Sequence, residues 1–183
     1  MFVSLFISLL FGTSAALCQA TVKAKVRHMK IEKAMFGAGC FWGVEETFRR
    51  TPGVVSTAVG FSGGTVKNPS YQQVCQGNTG HAEVVEIEFD PKQISYNDLL
   101  KIFFANHDPT TVNRQGPDIG YQYRSVIFYT SPEQEKEAVA AKLQWQTNTG
   151  KTAATVIEPV QPFYKAEEYH QRYLEKNGLN VCH

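Results

Sequence analysis

One cysteine of this sequence has neighbours that favour chemistry. Cys40 lies in the pentapeptide Gly39-Cys40-Phe41-Trp42-Gly43, after a short apolar run and before a segment that is typical of a helix. We therefore expect its thiol in the first turn of a helix, where unpaired N–H groups and partial positive charge stabilise a thiolate. Phe41 and Trp42 would form an aromatic wall beside the sulfur. The pentapeptide is typical of a nucleophile, and a buried cysteine packed beside core aromatics is the alternative.

A second candidate is a carboxylate on a predicted strand. Alternation along residues 83–89 places Glu83 on the same side as Val85, Ile87 and Phe89, whereas Glu86 and Glu88 fall on the opposite, solvated side. A carboxyl group on an apolar face is desolvated, which raises its pKa and makes it a proton donor. The alternative is that Glu83 stays in water at the strand end or pairs with a basic side chain.

A long polar segment at residues 107–120 precedes Tyr121 and Tyr123. Long connections without regular structure are often functional in compact domains, and the two phenols are placed to face a ligand. Each residue taken alone is also typical of a turn or an exposed surface. Three of the five histidines, His81, His107 and His170, are widely separated, and we expect structural roles for them.

The cysteine count limits the remaining possibilities. The chain has four cysteines, at positions 18, 40, 75 and 182, and their spacing forms neither a disulfide framework nor a zinc motif. Cys182 is the penultimate residue of a tail rich in glycine and asparagine, which we expect to be mobile. Such a tail can carry a thiol to an oxidised partner, and an idle terminal cysteine is the alternative.

Composition indicates an ordinary globular domain. The 183 residues are 43% hydrophobic and 19% charged, and the net charge of +1 gives no reason to propose nucleic acid or an anionic membrane as partner. Residues 1–22 carry no charged side chain and include an apolar stretch followed by small residues. We interpret residues 1–20 as a signal peptide or N-terminal anchor, although no Lys or Arg precedes the apolar stretch. Residues 21–183 would form a single catalytic domain, exported to a periplasm or secreted.

The predicted elements alternate between strands and helices. They are strands 33–37, 54–60, 83–89, 122–129 and 153–158, and helices 41–50, 96–106, 133–148 and 166–176, with a short turn at 71–76. Ser95 and Asp98 are close to a capping box, and Ser131, Pro132 and Gly150 mark the ends of the third helix. The first six long elements run β-α-β-β-α-β. The prediction is an α+β fold, a ferredoxin-like two-layer α/β sandwich with extra loops and a C-terminal helix and tail.

Taken together, several segments resemble the type A peptide methionine sulfoxide reductases. The resemblance covers residues 33–177 and rests on six ordered stretches: Gly39 to Gly43, Gly60 to Gly64, Asn68 to Tyr71, Gly77 to Glu83, His107 to Ser125 and Phe163 to Asn177. It implies reduction of methionine S-sulfoxide in oxidised proteins and peptides, without a cofactor or a metal. A thioredoxin-like dithiol would be the reductant, and we expect a monomer.

The resemblance also implies a role for each site residue. Cys40 attacks the sulfoxide sulfur, and Glu83 protonates the departing oxygen. Tyr123 donates a hydrogen bond to that oxygen, and Asp118 helps to hold the network. Phe41 and Trp42 surround the substrate methyl group. Cys40 is left as a sulfenic acid, which a second cysteine converts to a disulfide.

Two features depart from the family pattern. Phe61 stands where the family often has a tyrosine, so one hydrogen-bond donor to the oxygen is expected to be missing from the substrate site. Only Cys182 is present as a C-terminal cysteine. We predict that Cys182 resolves the sulfenic acid, with Cys75 as the second candidate.

Two other functions fit parts of the sequence. A Cys/His hydrolase or acyltransferase would use His81 or His170 to activate Cys40, with Asp118 orienting the imidazole. An exported binding module would bury Cys40 and place Trp42 in a recognition groove. Neither function needs Cys182, whereas the reductase does.

Overall fold

The structure is a computed structural model that describes residues 30–179. The predicted signal segment and the predicted resolver Cys182 lie outside these residues. Within residues 30–179, no helix is both long and apolar enough to cross a lipid bilayer.

Within the described residues, eight strands form one large sheet and one small hairpin. In chain order the strands are β1 (Glu32–Ala38), β2 (Val54–Ser62), β3 (Ala82–Phe89), β4 (Arg114–Gln115), β5 (Asp118–Ile119), β6 (Ser125–Tyr129), β7 (Val156–Pro159) and β8 (Tyr164–Lys165). Six of them form a sheet in the order β7-β6-β1-β3-β2-β8, and β4 pairs only with β5. The neighbours in β6-β1-β3-β2 are all antiparallel. This arrangement confirms the predicted ferredoxin-like sandwich, to which β7 adds a parallel strand and β8 an antiparallel one.

Five helices connect or flank the strands. They are α1 (Phe41–Arg49), α2 (Tyr71–Cys75), α3 (Tyr96–Ala105), α4 (Pro132–Thr149) and α5 (Tyr173–Lys176). The Ser95–Asp98 capping box starts α3, and Ser131 caps α4, as predicted. Gly150 ends α4 in the left-handed conformation, which glycine adopts without a steric penalty. The segment predicted as a turn at 71–76 is helix α2, because Ser70 and Gln73 form a second capping box.

Apolar side chains lie on both faces of the large sheet. The main core joins β1, β2, β3 and β6 to α1, α3 and α4, and it includes Phe36, Phe48, Ile87 and Phe103. A smaller cluster on other residues of the same strands contains Val84 and Phe128 and is covered by Phe163. The helices are therefore packed over the face that carries Val85 and Ile87, as the alternation of β3 predicts.

The predicted strand 122–129 begins later than expected. Residues Tyr121–Tyr123 form a 3₁₀ turn, and the strand starts at Ser125. The turn is closed by the backbone N–H of Tyr123 donating to the carbonyl of Gly120. Tyr123 therefore lies in the turn and not in the strand that the sequence predicts.

The predicted helix 166–176 is broken into two pieces. A 3₁₀ turn covers Glu168–His170, and α5 begins only at Tyr173. Between them Gln171 is extended and Arg172 is left-handed, because both bind partners elsewhere in the chain. The predicted strand 153–158 is likewise shorter and shifted, since β7 begins at Val156.

Candidate active site

Cys40 lies at the N-terminus of α1, where β1 ends. It is the N-cap residue of the helix and is half-buried, so the thiol lies at the first turn, whose N–H groups have no intrahelical partner. Gly39 has a φ of +95°, and a side chain there would collide with Gln115, whose Cβ lies 2.6 Å from the position of an added Cβ. The glycine therefore allows the β4–β5 hairpin to pack directly beside the cysteine.

Glu83 is brought to Cys40 by the backbone of α1. Its side chain is 1% exposed, and its Oε2 accepts a hydrogen bond of 3.0 Å from the backbone N–H of Phe41. The carboxyl group therefore caps the helix one residue after the cysteine. The burial of Glu83 agrees with the face predicted from alternation along β3, and the alternative of a solvated strand end does not apply.

Two tyrosines lie close to this carboxyl group. Burial, followed by the charge of Glu83, raises the pKa of Tyr123 above its ordinary value, and Cys75, Asp118 and Cys40 contribute in the same direction. Burial also raises the pKa of Tyr71, with Cys75 as the next cause and Glu83 a further one. Both phenols therefore keep their protons near neutral pH and are hydrogen-bond donors.

Tyr71 is a site residue that the sequence pattern did not predict. The capping box of Ser70 and Gln73 starts α2 at Tyr71, and Glu167 accepts a hydrogen bond of 3.2 Å from the Tyr71 backbone N–H. The Ser-x-x-Gln spacing is a signal that could have placed Tyr71 at a helix N-terminus rather than in a loop.

Phe61 does not line the site. It is 0% exposed, pairs with Glu83 across β2 and β3, and its ring centroid lies 5.8 Å from that of Phe41. Phe61 therefore packs behind Phe41 in this structure, and its contact with substrate stays a prediction. A second phenol is present, and it comes from Tyr71 on α2 instead of from β2.

An aromatic cluster surrounds the second residue of α1. We define this aromatic cluster as Phe41, Trp42, Tyr71, His170 and Tyr173. Trp42 is half-buried and stacks on Tyr173 with ring centroids 3.9 Å apart and planes 12° from parallel. Phe41 is 1% exposed, so it forms the base of the cluster, and Trp42 is the more accessible of the two predicted methyl-binding residues.

Asp118 lies across a cleft from the helix. It is half-buried on β5, and its charge is among the groups that raise the pKa of Tyr123. The cleft has a volume of about 230 Å³, and its lining includes Cys40, Val44, Thr47, Gln115, Pro117 and Asp118. The long polar segment predicted to be functional therefore supplies one wall of the space next to the cysteine.

Cys75 ends α2 on the same side of the molecule. The residue as a whole is exposed, but its thiol is partly buried. This partial burial is the main effect on the pKa of the thiol and raises it, whereas a hydrogen bond with the Tyr71 hydroxyl lowers that pKa. The charge of Glu83 also raises the pKa of this thiol. The second candidate for the resolving cysteine thus lies near the carboxyl group, and the first, Cys182, is outside the described residues.

The histidines have structural partners. His81 is 2% exposed, and its two ring nitrogens contact the N–H of Gly64 and the carbonyl of Val66. The ring of His107 contacts the carbonyl of Phe103 and the hydroxyl of Ser125. Among residues 30–179, no group of three or more His, Cys, Asp or Glu side chains is arranged to hold a metal ion.

The fold and the site define a cysteine-dependent enzyme with a ferredoxin-like core, a buried carboxyl group bonded to the residue after the cysteine, and two phenols near that carboxyl group. The sequence pattern of the family described as peptide methionine sulfoxide reductase matches residues 32–183. A peptide methionine sulfoxide reductase of Methanoculleus marisnigri is 61% identical over 155 residues, which are 83% of this chain and 94% of the relative. The chain belongs to the peptide methionine sulfoxide reductase family and is an oxidoreductase.

Solved structures agree with this assignment. Reduced Mxr1 from Saccharomyces cerevisiae is 42% identical, with a TM-score of 0.79 over 83% of this chain and 88% of that one. Mxr1 in complex with Trx2 is also similar, with 30% identity and a TM-score of 0.58 over 83% of this chain and 91% of that one.

Proposed function

We propose that the protein reduces methionine S-sulfoxide in proteins and peptides to methionine. The observation that carries this proposal is the hydrogen bond from the Phe41 backbone N–H to Glu83, which holds a buried carboxyl group beside Cys40. A sulfoxide oxygen leaves only after protonation, so the nucleophile and the acid must meet at one sulfur atom. The reductase chemistry needs this pair, whereas a hydrolase would need an imidazole base.

The first step transfers oxygen from the substrate to the enzyme. The Cys40 thiolate forms a bond to the sulfoxide sulfur, and Glu83 gives its proton to the oxygen. Methionine leaves with its sulfur reduced, and Cys40 becomes a sulfenic acid that carries the oxygen. The hydroxyls of Tyr71 and Tyr123 donate hydrogen bonds to the oxygen while its negative charge develops.

The substrate methyl group is recognised by contact area. A thioether methyl offers no polar group, so an aromatic surface is the matching environment. Trp42 is the accessible member of the aromatic cluster, and Phe41 supports it from below. Asp118 faces the cleft and helps to hold the polar side of the site.

The sulfenic acid is resolved by a second thiol. The Cys182 thiolate attacks the Cys40 sulfur, a disulfide forms, and the oxygen leaves as water. Its place in a glycine- and asparagine-rich segment after the last helix supports this assignment. Cys75 is the alternative, because its thiol lies near Glu83 and Tyr71. Mass spectrometry after one turnover separates the two, since a Cys40–Cys75 disulfide would overturn the assignment.

A thioredoxin-like dithiol is the proposed reductant of that disulfide. Two thiols of the partner become a disulfide, and both enzyme cysteines return to thiols. The support is the solved complex of the related Mxr1 with Trx2. Turnover with purified thioredoxin, thioredoxin reductase and NADPH is expected, and dependence on another reductant would contradict it.

The Cys/His hydrolase alternative has little support in the geometry. Both ring nitrogens of His81 have backbone partners, and Nδ1 of His170 accepts a hydrogen bond from Trp42. Neither imidazole is therefore available to take a proton from Cys40 in this arrangement. A Cys40 that acquires an acyl group from an ester would reinstate the alternative.

Export remains a proposal from the sequence. We infer that residues 1–20 direct the chain out of the cytoplasm and that residues 21–183 act there as one monomeric domain. The uncharged apolar composition of residues 1–22 supports it. N-terminal sequencing of protein recovered from the source cells would show a start near residue 21 if the signal is cleaved, and Met1 if it is not.

Site-directed variants test the proposed function. Cys40→Ser should abolish reduction of a methionine sulfoxide peptide, while Cys75→Ser, a matched change of a second cysteine near the site, should retain the first turnover. Reduction by folded Cys40→Ser protein would contradict the proposal.

A further inference from the structure

His170 is a buried imidazole at the centre of the aromatic cluster. It is 1% exposed, and its Nδ1 accepts a hydrogen bond of 3.1 Å from the indole Nε1–H of Trp42. Its ring centroid lies 4.3 Å from that of Tyr71 and 5.3 Å from that of Phe41. The chemistry described above does not use this residue.

The hydrogen bond fixes the state of the imidazole. Because Nδ1 accepts, the neutral ring must carry its proton on Nε2. Nε2 is buried and has no hydrogen-bond partner among residues 30–179. Burial of an unpaired donor costs free energy, and the fold tolerates that cost at a position where the other nitrogen serves Trp42. Burial also lowers the pKa of His170, which keeps the ring in the neutral form that accepts.

Stacking alone does not fix the indole. Tyr173 covers one face of Trp42 at 3.9 Å, and this contact sets the plane of the ring but allows sliding and rotation within the plane. A hydrogen bond at the ring edge removes that freedom because it is directional. The indole therefore has one position only while His170 accepts from it.

The backbone around His170 is held from two sides. The amide of Gln171 makes three hydrogen bonds of 2.9 Å, two with the backbone of Val59 and one with the carbonyl of Ala166. The backbone N–H of Arg172 donates to the buried carboxyl group of Glu45 at 2.7 Å. The acceptor nitrogen is thus presented to Trp42 from a fixed frame.

We propose that His170 is a positioning residue that holds the Trp42 indole as the wall of the methyl site and so sets discrimination against alkyl groups larger than methyl. The substrate part of this inference rests on the proposed function, whereas the His170–Trp42 contact does not. His170 touches no reacting atom in this account and acts only through Trp42.

The kinetic test compares three substitutions with wild type. His170→Leu removes the acceptor, and we expect KM for a methionine sulfoxide peptide to rise about tenfold with a smaller change in the single-turnover rate at saturation. The preference for methionine sulfoxide over ethionine sulfoxide should fall by about fivefold in kcat/KM. His170→Asn retains an acceptor near the place of Nδ1 and should restore most of both values. His170→Gln, whose amide lies farther from the backbone, gives the same test as His170→Leu if the leucine variant does not fold.

A spectroscopic test follows the indole itself. The chain has two tryptophans, so Trp145→Phe leaves Trp42 as the only indole. In that background, His170→Leu should increase acrylamide quenching of Trp42, and His170→Asn should not. A double-mutant cycle with Trp42→Phe should show that the two substitutions are not additive in KM.

The outcomes separate this inference from the proposed function. Unchanged quenching, an unchanged methyl-to-ethyl preference or full additivity with Trp42→Phe would overturn the role of His170, even in an active enzyme. Absence of sulfoxide reduction by wild-type protein would overturn the proposed function, and the quenching result would still decide whether His170 positions Trp42.

Discussion

At the scale of single residues, Glu83 differs from the other glutamates of β3 in what surrounds it. Oε1 of Glu86 lies 3.0 Å from Nζ of Lys33. A hydrogen bond from Ser56 lowers the pKa of Glu88, and Lys33 acts in the same direction. Glu83 has instead a buried position and a bond to the Phe41 N–H. One strand therefore carries partly exposed carboxylates on one face and a buried carboxyl group next to the thiol on the other.

Glu83→Gln tests the proposed proton donor. The amide retains an oxygen for the Phe41 N–H but has no acidic proton, so the single-turnover rate should fall by about a hundredfold or more. The matched control is Glu86→Gln on the opposite face, which should leave the rate unchanged. A rapid-quench assay measures both variants, and a wild-type rate for folded Glu83→Gln would remove the residue from the chemistry.

Phe61→Tyr tests whether a hydroxyl at this position of β2 assists the reaction. The side chain has no exposed surface, so an added hydroxyl would be buried without a hydrogen-bond partner. The substitution should therefore lower the free energy of unfolding by about 1–3 kcal/mol. The rate of sulfoxide reduction should not rise, because Tyr71 and Tyr123 already supply two phenols. Denaturant unfolding and a single-turnover assay check the two parts, and a tenfold faster reaction would contradict the second.

At the scale of elements, the C-terminal segment 163–176 shows where local sequence ceases to predict structure. The capping residues of α3 and α4 and the alternation of β3 act within a few residues, and these elements were predicted. The side-chain amide of Gln171 bonds to the backbone N–H and carbonyl of Val59, as a neighbouring strand would. The two residues are 112 positions apart in the chain. Helical propensity in 166–176 therefore gave way to tertiary hydrogen bonds that no local pattern contains.

The site residues likewise divide into those that local sequence predicts and those that depend on tertiary contacts. Cys40 and Glu83 were predicted from helix and strand patterns that need only local sequence. Tyr71 was missed, and the burial of Phe61 was not expected, because the positions of both depend on how α2 and β2 sit against Phe41. The direction of a side chain across two elements is not contained in the periodicity of either one.

Gln171→Leu tests the anchoring of this segment. The substitution leaves the buried N–H of Val59 without its partner, while the Val59 carbonyl keeps its bond from the Ala166 N–H, and it should lower the free energy of unfolding by about 2 kcal/mol. Hydrogen exchange of the Val59 amide should accelerate. Gln161→Leu, at an exposed position nearby, is the matched control and should change neither quantity. Unaltered exchange at Val59 would contradict the anchoring role.

At the scale of the whole molecule, His107 links stability to pH. Burial lowers its pKa from 6.5 to about 4, although the carbonyl of Phe103 and the charge of Asp108 oppose this shift. The folded protein thus keeps the ring neutral in a range where the unfolded chain takes up a proton. Since the unfolded state then binds more protons, stability falls as the pH falls from about 6.5 towards about 4.

The pH dependence of unfolding checks this link. His107 should contribute up to about 3 kcal/mol of the loss between these two pH values. His107→Gln should therefore show a smaller slope of unfolding free energy against pH, whatever its stability at neutral pH. Burial also lowers the pKa of His170, so His170→Asn measures how much of the slope comes from that residue. An identical slope in His107→Gln and wild type would contradict the assignment to His107.

A single-turnover reaction between reduced enzyme and a methionine S-sulfoxide peptide, followed by mass spectrometry of peptide and protein together, tests the proposed reductase activity. We expect one methionine per enzyme and a Cys40–Cys182 disulfide, with the sulfenic acid of Cys40 trapped when Cys182 is replaced by serine. Folded, reduced enzyme that yields no methionine and leaves Cys40 as a thiol would contradict the central claim.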